Sequence, residues 1–256
     1  MSRFKNLEVD PPPEPRPTGE SERARDEQYY VAEADEARRN GYYENALRFF
    51  SRALEFDKTL ILAWVGQIRM LVELQEYPEA VLWSTKALEM FRDNPELMAG
   101  KAQALGRQGD VPTALPLSDG ALQKPGQSAY RWIVRGELMV ATRQQTDAYL
   151  FQKAVLADPD WLVPLEIARV FLFYDKPTKA VPWAKRAVQQ APSSPYTSLV
   201  EGICHARAKN TPLARKCFER CLELVPNHRD AQSELEKLGA GGWSLTGGLR
   251  RLFGRG

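Results

Sequence analysis

Residues 195–228, PYTSLVEGICHARAKNTPLARKCFERCLELVPNH, read as one helix–turn–helix unit of 34 residues. Gly202 is small where two helices must approach closely, and Ala214 follows it twelve residues on. Phe218 and Cys221 lie four and then three residues further, on the helical face that Ala214 occupies. Asn210 and Pro212 mark the turn between the helices, and Pro226 stops the second one.

The pattern recurs towards the N-terminus. Ala214 is preceded by Ala180, Ala148, Ala114, Ala80 and Ala46, at steps of 34, 32, 34, 34 and 34 residues. Cys221 is preceded by Ala187, Ala154, Ala121, Ala87 and Ala53, at steps of 34, 33, 33, 34 and 34. Six units that each keep the two small residues seven apart, or miss by one, are a repeat and not a coincidence. The unit resembles the tetratricopeptide repeat, whose signature small residue, Ala, aromatic, Ala and Pro correspond here to Gly202, Ala214, Phe218, Cys221 and Pro226, with Cys in place of the second Ala. The resemblance covers roughly residues 27–228. It implies an all-α, right-handed α-solenoid of about six helix–turn–helix repeats, because one unit cannot bury its apolar face and neighbours must share a continuous core.

The expected organisation follows. Residues 1–19 form a Pro-rich N-terminal segment containing Pro-Pro-Pro-Glu-Pro-Arg-Pro, which cannot hold a helix. Residues 20–238 form the solenoid, with repeats at about 27–60, 61–94, 95–128, 129–160, 161–194 and 195–228 and a polar capping helix at 229–238. Residues 239–256 form a Gly/Arg-rich flexible tail with Trp243, Leu249, Leu252 and Phe253 as its apolar weight. In the third repeat, Pro116 and Gly120 predict a short or kinked second helix. The fourth repeat lacks one residue between Ala148 and Ala154 and a second between Pro159 and Ala168, which predicts a change of superhelix pitch at the joint of repeats four and five.

Composition limits the function classes. Lys and Arg number 35 against 33 Asp and Glu, interspersed, so no basic stripe for nucleic acid emerges outside the last eight residues. The three cysteines, 204, 217 and 221, form no C-x-x-C pair and point to a reducing compartment. Met1-Ser-Arg-Phe-Lys leads into acids and prolines, not into an apolar segment, and no run is long enough to span a bilayer. The sequence reads as cytoplasmic.

Catalytic signatures are missing from the sequence: it contains no G-x-x-x-x-G-K-[ST], G-x-S-x-G or H-E-x-x-H. The expectation is a non-enzyme without cofactors. Cys204, His205, Cys217 and Cys221 invite a zinc reading, but cysteines at seam positions serve as small hydrophobes, and no metal is expected.

In tetratricopeptide proteins the first helix of each unit lines a concave groove. By that register, unit two presents Leu62, Val65, Arg69, Val72 and Glu73. The partner-binding groove is expected in the later repeats. It takes Tyr130, Ile133 and Glu137 from unit four, Leu162, Leu165, Arg169 and Phe173 from unit five, and Tyr196, Leu199, Ile203 and Arg207 from unit six. Glu166 of unit five falls in the same register. About half of these should be core; the rest should form an exposed apolar strip that holds an amphipathic helix or extended peptide of a protein partner. The chain departs from the carboxylate clamp of chaperone-binding members. The clamp positions hold Val31, Asp35, Gly66, Glu96 and Gly100, or, one unit later, Val65, Arg69, Gly100, Tyr130 and Val134. The resulting function is a non-catalytic protein–protein interaction scaffold or adaptor. The alternative is a membrane-proximal assembly factor or chaperone whose Arg-rich tail, 243–256, touches lipid or a membrane complex; lipid contact is not favoured, since stable anchoring takes two signals. A third reading lays that tail in the protein's own groove.

Overall fold

The computed structural model describes residues 26–239. The segment expected over 1–19 lies outside the described residues, as does the expected tail beyond Gly239. Among the described residues there are thirteen α-helices and no strand. They are α1 Glu27–Arg39, α2 Tyr43–Phe56, α3 Ile61–Glu73, α4 Tyr77–Met90, α5 Pro95–Gln108, α6 Val111–Gln123, α7 Ala129–Ala141, α8 Asp147–Ala157, α9 Leu162–Phe173, α10 Pro177–Gln190, α11 Pro195–Arg207, α12 Thr211–Leu224 and α13 Arg229–Gly239. Consecutive helices pack as pairs, each pair packs on the next, and α13 covers the end of α12. The chain is an all-α helical-repeat solenoid. None of the described helices is long and apolar enough to cross a membrane.

Local chemistry sets the helix ends. Asp26, Asn94, Asp110, Ser128 and Asn210 each accept a backbone N–H of the first turn that follows them. Proline occupies the first turn of α4, α5, α6, α10, α11 and α12, where its missing N–H has no intrahelical partner to lose. Each turn inside a repeat contains one residue in the left-handed region: Gly41, Gln75, Gly109, Arg143, Asp175 and Lys209. The N–H of the next residue returns to the preceding helix, as in Glu76 to Leu71 O and Asn210 to His205 O, so each first helix closes by the same backbone motif.

The repeat signature is a packing rule. Ala46, Ala80, Ala114, Ala180 and Ala214 are fully buried, as are Ala53, Ala87, Ala154, Ala187 and Cys221. A Cβ placed on Gly202 would sit 2.4 Å from the ring of Phe218, and one on Gly136 would sit 2.4 Å from Phe151. Glycine is thus required where the first helix meets the aromatic of the second. The fourth repeat corrects the sequence register. Ala148 is exposed, and the buried residue is Asp147, the first residue of α8. The missing residue therefore lies in the turn between Arg143 and Asp147, not between Ala148 and Ala154. The buried carboxylate is offset by the α8 N-terminus and by Lys179 Nζ at 3.0 Å.

In the third repeat, one half of the expectation, a shortened helix, is not met. Helix α6 runs unbroken for 13 residues through Pro116, so it is not shortened. Proline costs it one hydrogen bond, but Asp110 caps its start, and Arg131 Nη1 donates to Ala121 O at 3.0 Å near its end.

Candidate functional site

The first helices of the repeats turn polar side chains inward, and these side chains meet. Arg69 and Glu73 project one turn apart from α3, as Gln103 and Arg107 do from α5. Arg107 Nε donates to Glu137 Oε1 at 2.6 Å, and Gln103 Nε2 donates to Glu137 Oε2 at 2.7 Å. Tyr130 Oη donates to Gln103 Oε1 at 2.8 Å, and the Arg69 guanidinium lies 4.2 Å from the centre of the Tyr130 ring. Arg169 pairs with Glu73 and donates to Tyr196 Oη at 2.6 Å. Burial pushes the Glu73 carboxyl up to about 7 against the pull of Arg107, with Glu137 and Glu166 adding to the rise.

The network reaches across the solenoid to the first repeat. Arg38 of α1 and Arg69 of α3 both bind Glu166 Oε1 of α9, at 2.9 and 2.5 Å. Arg39 pairs with Asp160 at 2.9 Å and lies over the Trp161 ring. Tyr43 Oη lies 2.6 Å from Tyr196 Oη, and the Arg169 guanidinium sits 4.5 Å from the Tyr43 ring centre. A Cβ on Gly41, at φ +78°, would come within 2.4 Å of the Tyr196 ring. The superhelix is therefore wound tightly enough that the turn of repeat one docks on repeats five and six. Its landing point includes the joint of repeats four and five.

This closure corrects the expected exposed strip. Leu165, Ile133, Leu199 and Ile203 are buried in the seams between neighbouring helices. Tyr130, Glu137, Arg169 and Tyr196 are buried in the polar network. Phe173 is half-buried with the Arg107 guanidinium 4.7 Å from its ring centre, and the Arg207 side chain is buried while its tip meets Asp175 at 2.9 Å. The physical reason is the small inner radius: facing helices fill the space that a wider coil would leave to a ligand.

An opening remains at the mouth of the inner face, where the N-terminal ends of α3, α7 and α9 converge. It is a cleft of about 460 Å³ with a floor of Ile61, Leu62, Val65, Leu162 and Val163. Arg38, Arg39 and Arg69 stand on its rim, with Glu96, Asp158, Asp160 and Glu166. Leu62 is 60 % exposed within it. Of the residues expected to bind a partner, Tyr130 and Leu162 line this cleft. Leu62, Val65, Arg69 and Glu166, placed by the same register, line it too. Arg38, Arg39, Asp158 and Asp160 escaped the sequence reading, because they arrive only through closure across more than 120 residues.

No protein-family model matches the sequence, and no curated protein matches it. Solved structures share the fold. A tetratricopeptide repeat protein from Parabacteroides merdae superposes with a TM-score of 0.52 at 14 % identity, over 85 % of this chain and 86 % of that one. A thermophilic tetratricopeptide repeat protein of Thermus thermophilus gives 0.51 at 16 % identity, over 84 % of this chain and 99 % of that one. A chain of the APC/C hetero-tetramer Cut9–Hcn1 gives 0.51 at 15 % identity; the match covers 84 % of this chain and only 43 % of the other. The architecture of this chain is that of the tetratricopeptide repeat proteins.

Proposed function

We propose that the chain is a non-catalytic protein–protein interaction scaffold that receives a helix or extended segment of a partner at the mouth of its inner face. The observation that carries this reading is the cleft, with Leu62 exposed on its apolar floor. A large aliphatic side chain left in water on a helix N-terminal turn is stabilised by a partner that covers it, by about 25 cal/mol for each Å² of apolar surface removed. The rim carries guanidinium and carboxylate groups paired with one another, Arg38 and Arg69 with Glu166 and Arg39 with Asp160, which suits a segment with an apolar anchor flanked by charges of both signs. The deeper residues of the network hold the cleft in shape and do not touch the partner.

A peptide-display selection on the full chain, counter-selected on Leu62→Asp, tests the reading. The expected result is a set of peptides with apolar anchors whose binding Leu62→Asp abolishes without changing the circular dichroism. Peptides that bind wild type and Leu62→Asp equally place the interaction elsewhere.

A further inference from the structure

The last repeat holds a second cluster that the scaffold reading does not use. Glu201 and His205 lie one turn apart on α11, and Cys217 faces them from the antiparallel α12. Their ligand atoms all lie within 4.8 Å of one another, and His205 Nε2 is 3.8 Å from Glu201 Oε1. A tetrahedral zinc ion with bonds of about 2.0 to 2.3 Å holds its ligands roughly 3.5 Å apart, so the His205–Glu201 pair at 3.8 Å is already near that spacing, and side-chain rotation closing the widest separation by up to roughly 1.3 Å would complete the set. His205 is buried, and Cys217 is half-buried. Cys204 and Cys221 are buried and stand outside the set.

We infer that Glu201, His205 and Cys217 form a binding site for one zinc-class divalent cation, with water in the fourth position. A thiolate, an imidazole and one carboxylate select a borderline transition metal over magnesium or calcium, which take oxygen ligands. Three protein ligands leave a coordination position open, unlike the four of a closed structural site. On binding, the Sγ–H bond of Cys217 breaks, its proton leaves to solvent, and an Sγ–metal bond forms; no electrons are exchanged. Without metal, burial and the neighbouring Glu201 push the thiol up to about 12, while Arg220 and Lys185 pull it down. Burial and Lys185 push the His205 imidazole down, against Glu201. The ion would tie α11 to α12 in the last repeat of the described residues.

Cobalt(II) titration of the full chain tests the site. One equivalent should produce tetrahedral d–d bands with a thiolate charge-transfer band, both erased by zinc. Cys217→Ser and His205→Gln should weaken binding by at least about a hundredfold, beyond the effect of losing a supporting outer-shell group. Cys221→Ala, which restores the alanine of the other repeats, should leave it unchanged. A second readout needs no variant: zinc should slow alkylation of Cys217 relative to the metal-free chain. No thiolate band, a band that survives Cys217→Ser, or unprotected Cys217 at saturating zinc would each overturn the assignment.

Discussion

Tyr43 and Tyr196 are 153 residues apart in sequence, yet their hydroxyl oxygens are 2.6 Å apart. That bond, with Arg169 donating to the same Tyr196 oxygen, fastens the second helix of the solenoid to its eleventh. Tyr196→Phe leaves the buried Tyr43 hydroxyl without this partner and removes one acceptor from a buried guanidinium. It should cost about 1–3 kcal/mol in urea denaturation. The double variant with Tyr43→Phe should cost less than the sum of the two single changes, because both ends of the shared bond are then gone. Strict additivity would show that the two tyrosines do not interact in solution.

Gly41 is constrained twice, by a positive φ and by the Tyr196 ring that leaves no room for a Cβ. Gly41→Ala should destabilise the chain by roughly 1–3 kcal/mol and spring repeat one away from repeats five and six. Small-angle scattering should then report a larger radius of gyration. Gly109→Ala is the matched control: its φ is also positive, but a Cβ there meets nothing within 4 Å, so strain appears without opening. An unchanged radius for Gly41→Ala would mean that the docked turn does not set the curvature.

The repeat was legible because two small residues per unit recur at nearly fixed spacing, and all of them but Ala148 answer to a buried seam. The cleft was legible in part: register placed Leu62, Val65, Arg69, Tyr130, Leu162 and Glu166 on the inner side before any coordinates. Closure was not legible. It is the sum of small rotations between successive repeats, and no residue announces that Arg38 will meet Glu166. The turns were half hidden for a different reason. Gly41 and Gly109 advertise a left-handed residue, whereas Gln75, Arg143, Asp175 and Lys209 adopt the same conformation without glycine. Ala148 misled because a small residue stood one position from where the seam lies, and the seam took Asp147 instead.

That register correction makes a sharp comparison. Ala148→Asp, on an exposed position, should change stability by no more than about 0.5 kcal/mol. Ala114→Asp buries an unpaired carboxylate in the equivalent seam of repeat three and should cost upwards of about 3 kcal/mol. Asp147→Ala should be nearly neutral or stabilising, since Lys179 is exposed enough to be hydrated alone. Thermal melts of the three variants decide it, and a severe loss in Ala148→Asp would restore the original register.

Glu73 gives the network a dependence on pH whose sign can be worked out. Its carboxyl rises from 4.5 in the open chain to about 7 in the folded one, chiefly through burial. Between those values the folded chain holds a proton that the unfolded chain has lost. The stabilisation from the bound proton is complete below about 4.5, shrinks as pH climbs through 7, and is absent above it. A carboxyl moved that far binds its proton roughly 3 kcal/mol more tightly in the folded state. Glu73→Gln keeps the uncharged form at every pH and can still accept from Arg169. Urea denaturation at pH 5 and pH 8 should therefore show wild type and variant close together at the lower pH, with wild type losing ground at the higher. If wild type gains on the variant as pH rises, the guanidinium groups of Arg169 and Arg107 outweigh burial, and Glu73 is an ionised clasp.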